Sequence, residues 1–167
     1  MTVAAEENSA IKALEVAQVM LESGQVDAVV VGAVDLAGGL ENVLLHNHFS
    51  PVHQGKPVAG IDQNADGWLI GEGAGAVVLA PVETAPPERV YAQIDAVTIT
   101  TAQATGDLPS TPDANTIAQA AQNALNTAGI APEQVGYVEF AATGLEDTAE
   151  EINALTQLYR TTAGENT

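Results

Sequence analysis

The sequence predicts an α/β fold in which helices are layered on strands. Three observations carry that expectation. Residues 8–23 and 113–128 repeat apolar positions at three- and four-residue steps, the period of a helix with one buried face. Each of these helices ends in a glycine and a short turn that enters an apolar run, 27–35 in one case and 135–142 in the other. The stretch Asp66–Leu79, DGWLIGEGAGAVVL, passes from four glycines into the apolar run Ala74–Ala80. Its start is too rich in glycine for a helix, so the Val-Val-Leu run reads as a strand buried on both faces. Two similar α/β halves of this kind stack as layers.

The first helix spans 8–23. Asn8 or Ser9 can cap its start, and Ser23-Gly24 ends it. Ala10, Ala13 and Ala17 suit close packing under a sheet. Asp27–Asp35, DAVVVGAVD, is short, β-branched and apolar, hence a buried strand. Leu36–Gly60 reads as loop, with a short helix over Glu41–Phe49. Gly67, Gly71, Gly73 and Gly75 would let layers approach closely, and Glu72 would cap backbone amides. A phosphate-cradling reading of the same glycines fails on order: they precede a strand, whereas a dinucleotide loop follows one strand and opens a helix.

Pro81–Arg89, rich in proline and charge, is the best internal boundary and divides the chain into 1–85 and 86–160. Val90–Thr101 alternates with β-branched residues and is expected to be a strand. Gly106–Pro112 reads as a loop. The helix over 113–128 starts at Pro112-Asp113 and stops at Gly129. Pro132–Gln134 is a turn, Val135–Ala142 a strand and Thr143–Leu145 a loop. Glu146–Arg160 is an acidic helix with Ile152, Leu155, Leu158 and Tyr159 as its apolar stripe. The polar tail 161–167 is expected to be disordered.

Composition excludes several functions. Four Lys and Arg stand against 22 Asp and Glu, a net charge of −18. Such a surface repels nucleic acid and anionic membranes, and Lys12, Lys56, Arg89 and Arg160 are too few for dense phosphate binding. No apolar run is long enough to span a bilayer. Residues 1–20 lack the basic start of a secretory signal, and a cytoplasmic protein fits. With no cysteine there is no disulfide, thiolate metal site or thiol nucleophile. His46, His48 and His53 invite a metal reading, but no carboxylate joins them in a ligand motif. They read as loop or interface histidines, with no metal.

Several pieces together resemble the β-ketoacyl synthase family. ALEVAQVMLESGQVDAVVVGAVD is similar to the segment that follows the family's nucleophile. GWLIGEGAGAVVL resembles its GEGAG strand, and ALNTAGIAPEQVGYVEFAATG resembles its AL..AGI.P..I.YVEAHGTGT segment. The order and separations agree across nearly all of residues 4–158. The resemblance implies a partial thiolase-like fold, layered α-β-α, with the end of one half joined to the start of the other. It also implies a fragment, since a full member is considerably longer. Sheet edges left open in a fragment would favour a homo-oligomer.

The same resemblance places substitutions where catalysis would occur. Glu7 matches the nucleophilic cysteine, and a carboxylate is a poor substitute for a thiolate in acyl transfer. Ala141 matches the first active-site histidine and has no proton or hydrogen bond to offer. Thr143 and Gly144 keep their places, but Leu145 replaces the second threonine, so Thr143 remains the substrate-arm candidate. The glycine motif Gly71, Glu72, Gly73 and Gly75 is expected to be structural. This loss resembles the chain length factor, the cysteine-lacking partner of an active ketosynthase in polyketide and polyunsaturated fatty acid synthases. The implied partners are a ketosynthase and an acyl carrier protein, with no cofactor. Two other readings stand beside a non-catalytic module. One is a residual thioester decarboxylase or hydrolase using Glu7 as base, or β-ketoacyl synthase acyltransferase activity when the missing parts complement the chain; the other is an unrelated binding domain.

Overall fold

The computed structural model describes residues 1–102 and 112–160. The elements run α1 (Ser9–Glu22), β1 (Val29–Asp35), α2 (Leu40–Phe49), β2 (Gly73–Leu79), α3 (Ala114–Ala128) and α4 (Glu146–Arg160), with short 3-10 turns between some of them. The fold class is the expected one, a partial layered α/β arrangement. The expected loop at 106–112 falls almost wholly outside the described residues, as does the tail 161–167.

The described chain forms two compact units. Met1–Leu36 and Glu72–Ile99 make the first. In it β1 and β2 pair antiparallel from Val29 with Leu79 to Asp35 with Gly73. Helix α1 packs on β1, and Ala17 and Val31 are buried. Ser9 Oγ ties off the chain before α1 by accepting the Ala5 N–H at 2.9 Å. Asn8, in the cap position, makes no side-chain cap bond. Lys12 pairs with Glu15 along the helix.

Ala37–Gly71 and Thr100–Thr167 make the second unit. Its core is the packing of α3 on α4, where Leu125, Thr148 and Ala154 are buried. Asp113 caps α3 by accepting the Thr116 N–H at 2.7 Å, and Glu150 of α4 accepts the Ala114 N–H at 2.8 Å. Two carboxylates thus sit where the helix dipole favours negative charge. Gly129 ends α3 in the left-handed region at φ 67°, and Ile130 N–H reaches back to Leu125 O at 3.0 Å.

Two expectations about strands need correction. Val90–Thr101 and Val135–Ala142 form no β-ladder. Alternating β-branched residues specify which side chains a strand would bury, but a strand exists through a hydrogen-bonded partner. Among the described residues neither segment has one, and Tyr91 and Tyr137 are left exposed. The burial expected of β1 and β2 on both faces also fails. Val30, Val34, Val77 and Val78 are exposed, because burying both faces of a sheet needs a layer on each side.

Candidate functional site

The resemblance directs attention to Glu7, Ala141, Thr143 and the glycine motif. Glu7 lies in the first unit, exposed in the 3-10 turn that leads into α1. Gly73 and Gly75 belong to β2, and a β-carbon at Gly71, Gly73 or Gly75 would meet no atom within 4 Å. The close backbone approaches are made by other glycines, Gly60, Gly67 and Gly144, all in the second unit.

Those three glycines bring two loops together. Gly67 is buried, and a β-carbon there would strike the Pro51 carbonyl and stand 2.6 Å from the His53 nitrogen. One at Gly60 would strike the Ala142 carbonyl. Gly144, at φ 81°, rests against the Gly67 carbonyl. The loop 50–68 therefore lies on the turn 141–148 through backbone, with the Ala65 methyl beside Gly144.

The turn itself is held by α4. The Glu151 carboxylate accepts the N–H groups of Ala141 at 3.2 Å and Ala142 at 2.9 Å. Thr148 is buried, and its hydroxyl accepts the Gly144 N–H at 3.0 Å. The Thr143 hydroxyl donates to the Asp147 carboxylate and accepts the Leu145 N–H at 3.3 Å. Ala142 stands where the resembled motif carries glycine, yet it takes a positive φ of 46°. A β-carbon in that region is disfavoured, so the α4 contacts hold a locally strained backbone.

The loop side has its own internal bonds. His53 N–H donates to Trp68 O at 2.9 Å, and Trp68 N–H donates to Pro51 O at 3.0 Å. The Trp68 indole N–H donates to Ser50 O at 3.1 Å, and its ring packs on His46 with centroids 5.2 Å apart. The His53 ring meets the Asp66 carboxylate through Nδ1 and the Lys56 carbonyl through Nε2 at 2.8 Å. The histidine pKa is raised, chiefly by the Lys56 carbonyl, with Asp66 adding and burial opposing. Asp66 is held below the usual carboxylate range, chiefly by the His53 ring and next by the Gln54 N–H.

Chemically, the turn offers backbone groups, the engaged hydroxyls of Thr143 and Thr148, and apolar side chains. Ala141 brings no proton donor, and Asp147 and Glu151 spend carboxylate oxygens on the turn. Among the described residues no three His, Asp or Glu side chains gather to hold a metal. His48 packs edge-on against Phe49. Sequence reasoning missed Thr148, Glu151 and the His53–Asp66 pair. The first two were signalled by their spacing, three apart on one helix face beside the turn. The pair lies within a loop without periodicity and left no such signal.

Two family models match the chain: β-ketoacyl synthase, N-terminal domain, over residues 1–85, and β-ketoacyl synthase, C-terminal domain, over 91–167. A polyunsaturated fatty acid synthase polypeptide of Thraustochytrium sp. is 38% identical over 98 residues, which is 58% of this chain and 5% of that protein. Polyketide synthase PksL of Bacillus subtilis is 31% identical over 157 residues, 92% of this chain and 3% of that one. The solved PfaC keto synthase–chain length factor superposes with a TM-score of 0.77 at 36% identity, covering 93% of this chain and 16% of its own. The chain thus spans a small part of each of these three proteins. No helix among the described residues is long and apolar enough to cross a membrane.

Proposed function

Because this chain belongs to the β-ketoacyl synthase family, we propose that it is a non-catalytic module of the chain-length-factor type that shapes or docks a partner ketosynthase. The observation that carries this reading is Ala141. It matches the family's first active-site histidine, and its only polar atoms are backbone, with the N–H already given to Glu151. A methyl group cannot move a proton or bind a developing oxyanion. Glu7, matched to the nucleophilic cysteine, points the same way. Likeness to a solved keto synthase–chain length factor and to a polyunsaturated fatty acid synthase supports the choice of module.

Partners carry over by chemistry. A ketosynthase and an acyl carrier protein are the expected ones, with Thr143 lying along the pantetheine arm. The two family matches, ending at 85 and beginning at 91, support treating the chain as the end of one half and the start of the next. Exposed Val30 and Val78 on an open two-stranded ladder favour self-association of the isolated chain.

Malonyl- and acyl-carrier protein, supplied to the purified chain, test the proposal through release of CO₂ or free acid. The module reading expects neither. Release that disappears in Glu7→Gln would favour the residual thioester activity instead, with Glu7 as base. Carbon–carbon bond formation by the chain alone would overturn the reading.

A further inference from the structure

We propose that His53 and Asp66 form a charged clamp that positions the Ala141–Thr148 turn, and that the clamp holds only while the His53 ring carries both its protons. The inference rests on reading that turn as the site and adds a control element outside it.

The ring's surroundings require the doubly protonated form. One nitrogen faces a carboxylate and the other a backbone carbonyl, and both are acceptors. A neutral imidazole has one N–H and one lone pair, so one of its nitrogens would face an acceptor with no proton between them. The imidazolium serves both. The His53 side chain is only 5% exposed, while Asp66 is 58% exposed. Water therefore cannot easily replace the lost bond on the histidine side, although it can solvate the carboxylate.

The clamp is mechanically connected to the turn through Gly67. Asp66 immediately precedes Gly67, and His53 follows Val52, which bridges to Trp68. Closing His53 on Asp66 therefore presses the 66–68 stretch of the loop against 51–53. The Gly67 carbonyl is the surface on which Gly144 rests. That contact holds backbone and the Ala65 methyl, so no side chain there can rotate to absorb a shift of Gly67.

Of the charged groups on the elements gathered here, Asp66 is the one that acts on the ring. The loop contributes Lys56, Asp62 and Asp66, the end of α2 contributes His46 and His48, and the facing turn and α4 contribute Asp147, Glu150 and Glu151. The raised histidine pKa means that the clamp is fully made below the ordinary histidine range and lost as pH rises through the raised value. The lowered Asp66 pKa means that it is present above the ordinary carboxylate range and lost as pH falls through the lowered value. His53 thus acts as a positioning residue between the lowered Asp66 titration and its own raised one.

Amide hydrogen exchange and ring nitrogen shifts on the full chain test this by NMR. The His53 ring is expected to titrate above the ordinary histidine value, with both nitrogens protonated below that titration. His53→Gln and Asp66→Asn are each expected to speed exchange at Ala142 and Gly144 by about tenfold, with Ile130 in the other part of the unit unchanged. The wild type should show the same change, corrected for intrinsic rates, as pH passes through the His53 titration. Trp68, the single tryptophan, reports the loop by fluorescence, and His46→Phe removes the contribution of the histidine stacked on it. A His53 ring that titrates at or below the ordinary value overturns the proposal, as does protection at Gly144 that ignores its charge. If both variants unfold, the wild-type titration still decides. Binding of acyl-pantetheine is a separate measurement: a working clamp without binding removes the site assignment and leaves the clamp.

Discussion

Gly67 and Gly144 meet backbone to backbone: a β-carbon on Gly144 would stand 2.7 Å from the Gly67 carbonyl oxygen. That distance is shorter than carbon and oxygen tolerate without displacement. Gly144 is also held at φ 81°, where any side chain is strained. Gly67→Ala and Gly144→Ala are each expected to destabilise the chain by about 1–3 kcal/mol or more. Gly71→Ala and Gly75→Ala, with open space around them, should change stability by less than about 1 kcal/mol. Urea unfolding of the four variants separates the two classes.

Thr148 offers a second handle on the same turn. Its buried hydroxyl receives the Gly144 N–H, and valine would fill the same volume with no acceptor. Thr148→Val is expected to cost about 1–3 kcal/mol, the penalty for leaving a shielded donor unpaired. Thr148→Ser should recover most of that loss, which equilibrium unfolding would detect.

Ala142 predicts a gain. Its positive φ is a conformation that glycine adopts without strain. Ala142→Gly should raise stability by up to about 1 kcal/mol, the relieved strain outweighing the added freedom of the unfolded chain. A shift of the urea midpoint with an unchanged slope is the expected readout.

At the start of α3 the expectation concerns pH. Asp113 is held below the ordinary carboxylate range, chiefly by the Thr116 N–H that it accepts. A depressed folded-state pKa adds stability above the ordinary carboxylate value, and this is lost as pH falls through the lowered one. Asp113→Ala should therefore be less stable than the wild type at neutral pH. The difference between them should shrink only in the acid range below ordinary carboxylate titration. Helical circular dichroism followed through unfolding at several pH values measures that convergence.

The helices were legible because their information is local. The apolar period of 146–160, the Asp113 cap and the Gly129 stop each act within a few residues of where they are written. The strands were legible only where a partner exists. Val29–Asp35 and Gly73–Leu79 pair with each other, whereas Val135–Ala142 has the right pattern and no ladder. The site was half legible. Resemblance pointed to Ala141 and Thr143, but the residues that hold them, Thr148 and Glu151, matter through hydrogen bonds to a turn. The tightest glycine contacts were hidden for the same reason. DGWLIGEGAG identifies glycines, but which of them leaves no room for a β-carbon is a tertiary fact, and that is Gly67 rather than Gly71 or Gly75.

The pairing of Val29 with Leu79 has a kinetic consequence. The ladder it ends starts at Asp35 with Gly73, so a loop of about forty residues must be closed, and its entropy met, before the first ladder bond stabilises anything. Helices α3 and α4 are joined by a far shorter connection and nucleate from local contacts. A chain refolding from denaturant should therefore recover helical signal first, with the valine-rich ribbon arriving late and spending the interval open to other chains.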